Sequence, residues 1–397
     1  MSAHWISAEE AQARLGVKLQ TLYAYASRGL VSARQEETDT RRSLYAAEDI
    51  ARLALRKSRR YSGELEVASR AESPPPLVSG LTSVSQGAMR YRGQEVSDPA
   101  ETKTFEDVAR LLWASEDDPF AGLAPHPLTV SGADARIRMF ALLAQRAALD
   151  SAASGRAEAT LKREAASVLT DLVDAAAGAV RTMALHDRLA RFWRVEGFKA
   201  DMIRRALVLS ADQEAGDPSN YAARVAASTG ASLAASALAG LSTFSGPLHG
   251  GGAARVAAFV AESRRAPSAH QAALQRLSQG LEVPGFGDAQ FPEGDPRAKA
   301  LISAMRWSDE LTAVAEAGQA VTGQCANFDF ALVAMCRTLG LPADAPTTLL
   351  MVARTAGWLG HALEQRASGG QIKPRVRYIG PQGIEVSGHP PANDAAA

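Results

Sequence analysis

The sequence of 397 residues is poor in cysteine, in aromatic residues and in net charge. Its two cysteines, Cys325 and Cys336, are too few for a disulfide framework and fit no metal spacing, which predicts a reducing cytoplasm and no bound metal. Aromatic residues make up only 6% of the chain and alanine is abundant, which favours packed helices over sheets. Because 43 Lys and Arg balance 43 Asp and Glu, the whole chain is not an electrostatic partner of nucleic acid or membrane.

Long apolar runs are also absent. The longest stretch of low charge, residues 225–248, consists largely of Ala, Ser, Gly and Thr, which predicts a close-packed helix rather than a membrane span. The first ten residues lack the basic and apolar pattern of a signal peptide. Hydrophobic residues still amount to 46% of the chain, enough to bury a sizeable core in two or three domains.

The residues that are present divide the chain into zones. Residues 1–61 contain eleven Lys and Arg against seven acidic residues, and residues 62–76 end in Ser-Pro-Pro-Pro, which predicts a stiff linker. Residues 77–385 are expected to be mostly helical and residues 386–397 to form a disordered tail. Within the helical body, helices are predicted over residues 105–113, 157–180, 200–209, 221–241, 297–321 and 347–366.

The basic N-terminal zone has the pattern of a helix-turn-helix. Ser7 is the predicted N-cap of a helix over residues 7–15, with Glu10 three residues after the cap, and Gly16 begins the turn to a second helix over residues 20–28. The stretch TLYAYASRGLV and the later pattern RR-x-LY-xx-EDI-xRL resemble the winged helix-turn-helix of the MerR-type regulators and related excisionases.

That resemblance implies that the second helix enters the major groove of DNA while a wing touches phosphates. The residues that it places on DNA are Lys18, Gln20, Thr21, Tyr23, Arg28, Arg41 and Arg42. The alternative is a module for dimerisation or docking, because basic residues on a helix usually form only a solvated face.

One histidine of the body has a setting suited to catalysis. His249 lies in the loop SGPLHGGGA, residues 245–253, where glycines on both sides allow a ligand to approach the backbone closely. A helix is predicted to begin just after the loop, and its N-terminus would favour bound negative charge and a neutral imidazole. Taken alone, such a loop is more often just a turn.

Further motifs follow in a fixed order. They are VPGFGD (283–288), GDPRA (294–298), ANFDF (326–330), ARTAGW (353–358) with His361 nearby, and KPRVRY (373–378), with MRYRG (89–93) and ADQE (211–214) upstream. Together with the His249 loop, this ordered set resembles the citrate synthase family over roughly residues 77–382.

The resemblance implies an all-α homodimer whose large domain, residues 77–250 and 341–385, and small domain, residues 251–340, close over the substrates. It implies the joining of acetyl-CoA to oxaloacetate, with CoA as product and no permanently bound cofactor. An aspartate takes a proton from the acetyl methyl group, one histidine stabilises the enol, and a second histidine polarises the ketone of the acceptor. Arginines hold the two carboxylates.

Position by position, His249 matches the histidine that stabilises the enol and Asp329 matches the base. The arginines that match the carboxylate-binding positions are Arg297, Arg354 and Arg375, the last reaching across the dimer. Three guanidinium forks around one small site suit a dicarboxylate, because each fork pairs with a carboxylate in two places. In isolation each arginine would more often belong to the surface or to an ion pair.

The sequence departs from the family where the acceptor ketone is expected. Asp288 replaces the ketone-polarising histidine, Gln213 replaces the histidine of a D-H-E triplet, and Ser210 replaces a further histidine. Gln213 keeps an amide donor. An ionised Asp288 offers no donor and repels a dianion, and losing one such donor typically costs about a hundred- to a thousandfold in rate.

Three hypotheses follow. The first is a condensing enzyme with an altered acceptor, which the retained His249 and Asp329 favour. The second is a weak or inactive homologue that senses an acyl-CoA or a dicarboxylate and acts as a DNA-binding regulator, which the lost histidines and the N-terminal module favour. In the third, the module only assists assembly.

Overall fold

A computed structural model describes residues 5–15, 17–27, 31–35, 43–51, 77–124, 130–177 and 183–374. The predicted linker and tail lie outside these ranges, as do four residues with predicted roles, Arg28, Arg41, Arg42 and Arg375.

The N-terminal residues form a small unit with a core of its own. Its elements are β1 (Trp5–Ser7), α1 (Ala8–Leu15), α2 (Leu19–Ser27), β2 (Ala33–Gln35) and β3 (Ser43–Ala46). The three strands form an antiparallel sheet in the order β1-β3-β2, in which Ile6 pairs with Tyr45. Leu15, Leu22 and Ile50 are buried in the same cluster, so the two helices pack on the sheet through apolar contacts.

The start of α1 follows the predicted cap. The Ser7 Oγ accepts a hydrogen bond from the Glu10 backbone N–H at 3.2 Å. Only residues 16–18 separate α1 from α2, and residues 47–51 after the sheet are again helical.

The described residues between 77 and 374 form a helical body with one small antiparallel sheet. Its strands, in spatial order, are β4 (Thr82–Ser85), β5 (Ala88–Tyr91) and β6 (Gln94–Glu95). Its helices are α3 (Ser97–Thr102), α4 (Phe105–Leu112), α5 (Ala135–Leu149), α6 (Glu158–Ala177), α7 (Leu185–Phe192), α8 (Phe198–Leu209), α9 (Pro218–Ser228), α10 (Leu233–Phe244), α11 (Gly252–Ser263), α12 (Ala269–Ser278), α13 (Pro296–Ala304), α14 (Asp309–Thr322), α15 (Phe328–Leu339) and α16 (Ala345–Ser368). Among the described residues, none of the helices is both long and apolar enough to cross a membrane.

Helix α16 is the centre of the body. Of its 24 residues, 19 are buried, and the helix packs against α4, α6, α8, α9 and α10. Trp358 is fully buried and its indole N–H donates to the Ser219 Oγ at 3.0 Å. Gly240 of α10 lies directly against the Trp358 ring, where an added Cβ would overlap it, so small residues let these helices approach closely.

The far end of α16 fastens the beginning of the body. The Glu364 carboxylate accepts from the Gly80 backbone N–H at 2.7 Å and from the Arg224 guanidinium of α9 at 2.6 Å. Arg224 also donates to the Val78 carbonyl at 3.1 Å. The chain that follows the predicted linker is thus tied to both α9 and α16.

The structure corrects two helix predictions and the all-α expectation. The helix predicted over 221–241 is wrong because it is two helices, α9 and α10, separated at Gly230, whose φ is +87°, and restarted by the Ser232 N-cap. The helix predicted over 297–321 is likewise two, α13 and α14, with Ser308 capping the second. Where the structure describes the chain, the fold is helix-rich with two small three-stranded sheets.

Candidate active site

A cavity of about 180 Å³ lies where α9, α10, α15 and α16 meet the loops before α11 and α13. Six predicted site residues line it, namely Gln213, His249, Asp288, Arg297, Asp329 and Arg354. The other lining residues are Ser210, Asp217, Phe244, Gly250, Asn327, Phe328 and Leu350. Residues far apart in sequence are therefore brought around one small and mostly polar space.

His249 is held by a tight loop at the end of α10. The backbone N–H groups of His249 and Gly250 both donate to the Gly246 carbonyl at 3.0 Å, which turns the chain sharply before α11. The imidazole packs edge-on against Phe244, with ring centroids 5.3 Å apart. Its Nε2 lies 3.4 Å from the Asp217 Oδ1, which is long for a hydrogen bond.

Asp329 lies in the first turn of α15, over the beginning of α11. Asn327 caps α15 by accepting from the Phe330 N–H at 3.2 Å. An added Cβ at Gly252 would overlap the Asp329 carboxylate, so only glycine allows this packing. Burial raises the pKa of Asp329 against the opposing influence of Arg297. A carboxylate with a raised pKa is a stronger base, which suits proton abstraction.

Arg297 is already paired within the chain. Its Nε and Nη2 donate to the two Asp295 oxygens at 3.0 and 2.7 Å, and both residues are buried. The guanidinium also lies 5.0 Å from the Phe328 ring centroid and 5.5 Å from that of Phe291. Its position is therefore fixed before any ligand binds.

Arg354 of α16 meets a carboxylate that the sequence analysis did not single out. Its Nη2 lies 2.9 Å from the Asp217 Oδ1 and 3.3 Å from the Ser219 Oγ. Burial opposes ionisation of Asp217, but Arg354, His249 and Ser219 together hold its pKa well below the usual range. The sequence signal was the Asp-Pro pair at 217–218, which is typical of a helix N-cap and says nothing of an approaching arginine.

Asp288 and Gln213 both line the cavity. The Asp288 Oδ1 accepts from the Gln290 N–H at 2.8 Å, which fixes the loop. The neighbours of Gln213 point elsewhere: Asp212 is buried, 3.2 Å from the His361 Nε2, and Glu214 accepts from the Gln290 side chain at 2.9 Å. The second histidine near these motifs, His361, is thus part of the core beside the cavity and not of its lining.

The remaining predicted residues lie apart from the cavity or outside the described ranges. Lys18, Gln20 and Tyr23 of the N-terminal unit are exposed and Thr21 is half-buried. Arg28, Arg41, Arg42 and Arg375 are not among the described residues. Within the described part of the chain, no cluster of His, Cys, Asp and Glu could hold a metal ion.

The helical fold thus brings a half-buried aspartate, a histidine in a glycine loop and two paired arginines to one cavity. The family model of the citrate synthase C-terminal domain matches residues 135–375. The chain belongs to the citrate synthase family. Membership implies a condensing transferase of the citrate/2-methylcitrate synthase type.

Individual relatives agree with this family. A protein of Mycobacterium tuberculosis (strain ATCC 25618 / H37Rv), provisionally named citrate synthase 2, is 31% identical over 330 residues, 74% of this chain and 87% of the relative. The 2-methylcitrate synthase of Shewanella oneidensis is 25% identical and covers 78% of this chain and 94% of its own. The solved citrate synthase of Thermoplasma acidophilum, with carboxymethyl coenzyme A and oxaloacetate, superposes with a TM-score of 0.63 at 20% identity over 80% of this chain and 97% of its own.

Proposed function

We propose that the chain is an acyltransferase that condenses acetyl-CoA, through its methyl carbon, with a 2-oxo acid such as oxaloacetate at an altered acceptor site. The observation that carries this proposal is that His249 and Asp329 line the same cavity as Arg297 and Arg354. A base, a hydrogen-bond donor and two guanidinium groups are the parts that this chemistry needs.

The reaction divides among these residues. Asp329 accepts a proton from the methyl group of the thioester, and His249 donates a hydrogen bond to the thioester oxygen, which stabilises the enol. The enol carbon attacks the ketone carbon of the acceptor, a C–C bond forms, and the ketone oxygen takes the electron pair and a proton. Water then cleaves the thioester and releases CoA as the thiol.

The acceptor side of the proposal rests on the arginines. Arg297 and Arg354 supply the positive charge that attracts the 2-oxo acid, and the chain acts as a cytoplasmic homodimer in which the partner subunit's Arg375 completes the site. Asp288 and Gln213 face the acceptor, so its ketone end meets a carboxylate and an amide where the family pattern has histidines.

The test is release of free thiol from acetyl-CoA with oxaloacetate, pyruvate and glyoxylate as acceptors. We expect release with at least one of them, and a loss of about a hundredfold in His249→Ala, because one charge-stabilising donor is removed. His270→Ala is the matched control, since His270 is exposed on α12. Thiol release that is absent with all three acceptors, or that His249→Ala leaves unchanged, contradicts the proposal.

A second proposed function belongs to the N-terminal unit, namely DNA binding by a winged helix-turn-helix that reports on the ligand of the body. The supporting observation is that the unit has its own core, while Lys18, Gln20 and Tyr23 leave an exposed face at α2. In helix-turn-helix proteins the second helix is the one that enters the major groove. A homodimer would present two units to a two-fold symmetric site.

Binding to a mixed-sequence DNA duplex at low salt tests this second function. We expect a dissociation constant of about 10⁻⁴ to 10⁻⁶ M at physiological salt and tighter binding at low salt, and Lys18→Ala should reduce the salt slope by about one. Arg14→Ala is the control, because it removes one positive charge from α1, where Arg14 pairs with Glu10. Absence of binding at low salt, or equal effects of both variants, would count against DNA recognition through α2.

A further inference from the structure

One oxygen of Asp217 joins three parts of the cavity wall. Its Oδ1 caps α9 by accepting from the Ser219 N–H at 2.9 Å and the Asn220 N–H at 3.2 Å. The same atom lies 2.9 Å from the Arg354 Nη2 and 3.4 Å from the His249 Nε2. Capping a helix requires only the first two of these contacts.

The contact between Asp217 and Arg354 changes what Arg354 can bind. A guanidinium whose Nη2 already meets a carboxylate at 2.9 Å offers less to a ligand carboxylate. Because Asp217 stays ionised, a second anion at this end of the cavity would be repelled at close range.

The charges around the cavity point the same way. Three carboxylates line it, those of Asp217, Asp288 and Asp329, against the two guanidinium groups of Arg297 and Arg354. Arg297 is in addition paired with a buried carboxylate behind it, that of Asp295. Each of the two lining arginines therefore forms an ion pair with a carboxylate of this chain, and this disfavours binding of a ligand with two negative charges.

We propose that Asp217 takes the place of one acceptor carboxylate on Arg354, so that the site selects 2-oxo acids with one carboxylate over those with two. This inference rests on the proposed function in assuming that a 2-oxo acid occupies the cavity. Asp217 is in this view a residue that determines specificity, and it acts through Arg354 and through its own charge.

Pyruvate and oxaloacetate test the proposal, because they differ by a single carboxylate. Isothermal titration of each acid, with and without CoA, is carried out on the full-length protein and on Asp217→Asn. We expect the unmodified protein to bind pyruvate at least about tenfold more tightly than oxaloacetate. In Asp217→Asn, oxaloacetate binding should tighten by about tenfold or more while pyruvate binding changes little.

Two further variants separate charge from capping. Asp217→Ser also retains an N-cap side chain without the charge, and should shift the preference in the same direction if Asp217→Asn is poorly folded. Asp134→Asn removes a carboxylate that caps α5 at an exposed position, and should leave both affinities unchanged. If Asp217 only caps α9 and has no part in selection, Asp217→Asn will leave both affinities unchanged, as Asp134→Asn does. That result would overturn the proposal.

The outcomes distinguish this inference from the proposed function. Oxaloacetate bound by the unmodified protein as tightly as pyruvate, or no binding of either acid, overturns the selection by Asp217 whatever the thiol assay shows. Tighter binding of pyruvate than of oxaloacetate, without any thiol release, supports selection by Asp217 and contradicts the proposed condensing activity.

Discussion

Asp329→Asn is expected to lower the rate of thiol release about a thousandfold, or roughly 4 kcal/mol of transition-state stabilisation. An amide of the same shape cannot accept the proton of the methyl group. Asp329 lines the cavity and packs over Gly252 with little room to move, so its carboxylate is held in one position. Binding of CoA should be kept, since the change is made at the reacting end of the thioester.

The pH dependence gives this prediction a second readout. Burial raises the pKa of Asp329, so the active carboxylate is lost on acidification at a higher pH than for an ordinary aspartate. The acid limb of kcat/KM should therefore lie above the usual range of a carboxyl group and should vanish in Asp329→Asn. Asp309→Asn, in the exposed first turn of α14, is the control. A rate that survives Asp329→Asn would remove Asp329 from the role of base.

The second large effect is a gain. Asp288→His combined with Gln213→His is expected to raise condensation with oxaloacetate by about two to three orders of magnitude. The first change removes a carboxylate from the acceptor side and supplies an N–H donor where the ketone oxygen becomes negative. The second restores the family residue at a position that also lines the cavity.

The measurement is kcat/KM for oxaloacetate in the double variant and in each single variant. Asp344→His is the matched control, because it makes the same substitution at an exposed position before α16. No gain in the double variant would contradict the assignment of Asp288 and Gln213 as the changes that weaken the acceptor site. A gain that appears only when Asp217→Asn is added would place the main obstacle at Arg354.

The sequence predicted the residues of the cavity better than the course of the helices between them. Motifs as short as those around His249 and Asp329 keep their order along the chain, so a family pattern places them even where local structure is ambiguous. The small-residue stretch is divided into α9 and α10 by Gly230 and the Ser232 cap. In the sequence, these two residues are a weak signal for a helix end beside many alanines, which favour a continuous helix.

The role of Asp217 could not be predicted for a different reason. As an N-cap it is explained by its own helix, and a local pattern with a sufficient local explanation gives no sign of a distant partner. Asp217 approaches Arg354 only when α16 packs against α9, and Arg354 lies 137 residues further along the chain. The domain boundaries, the dimer and the roles of the arginines stay predictions.

The fastening of Val78 and Gly80 has a mechanical consequence. A pull on the chain from the N-terminal unit would be delivered first to Glu364 and Arg224, which hold these backbone groups. Glu364 and Arg354 belong to the same helix, α16, in which they are ten residues or about 15 Å apart. Arg224 belongs to α9, the helix that Asp217 caps. Tension on the chain at Val78 and Gly80 would thus reach the two helices that also carry the Asp217–Arg354 contact.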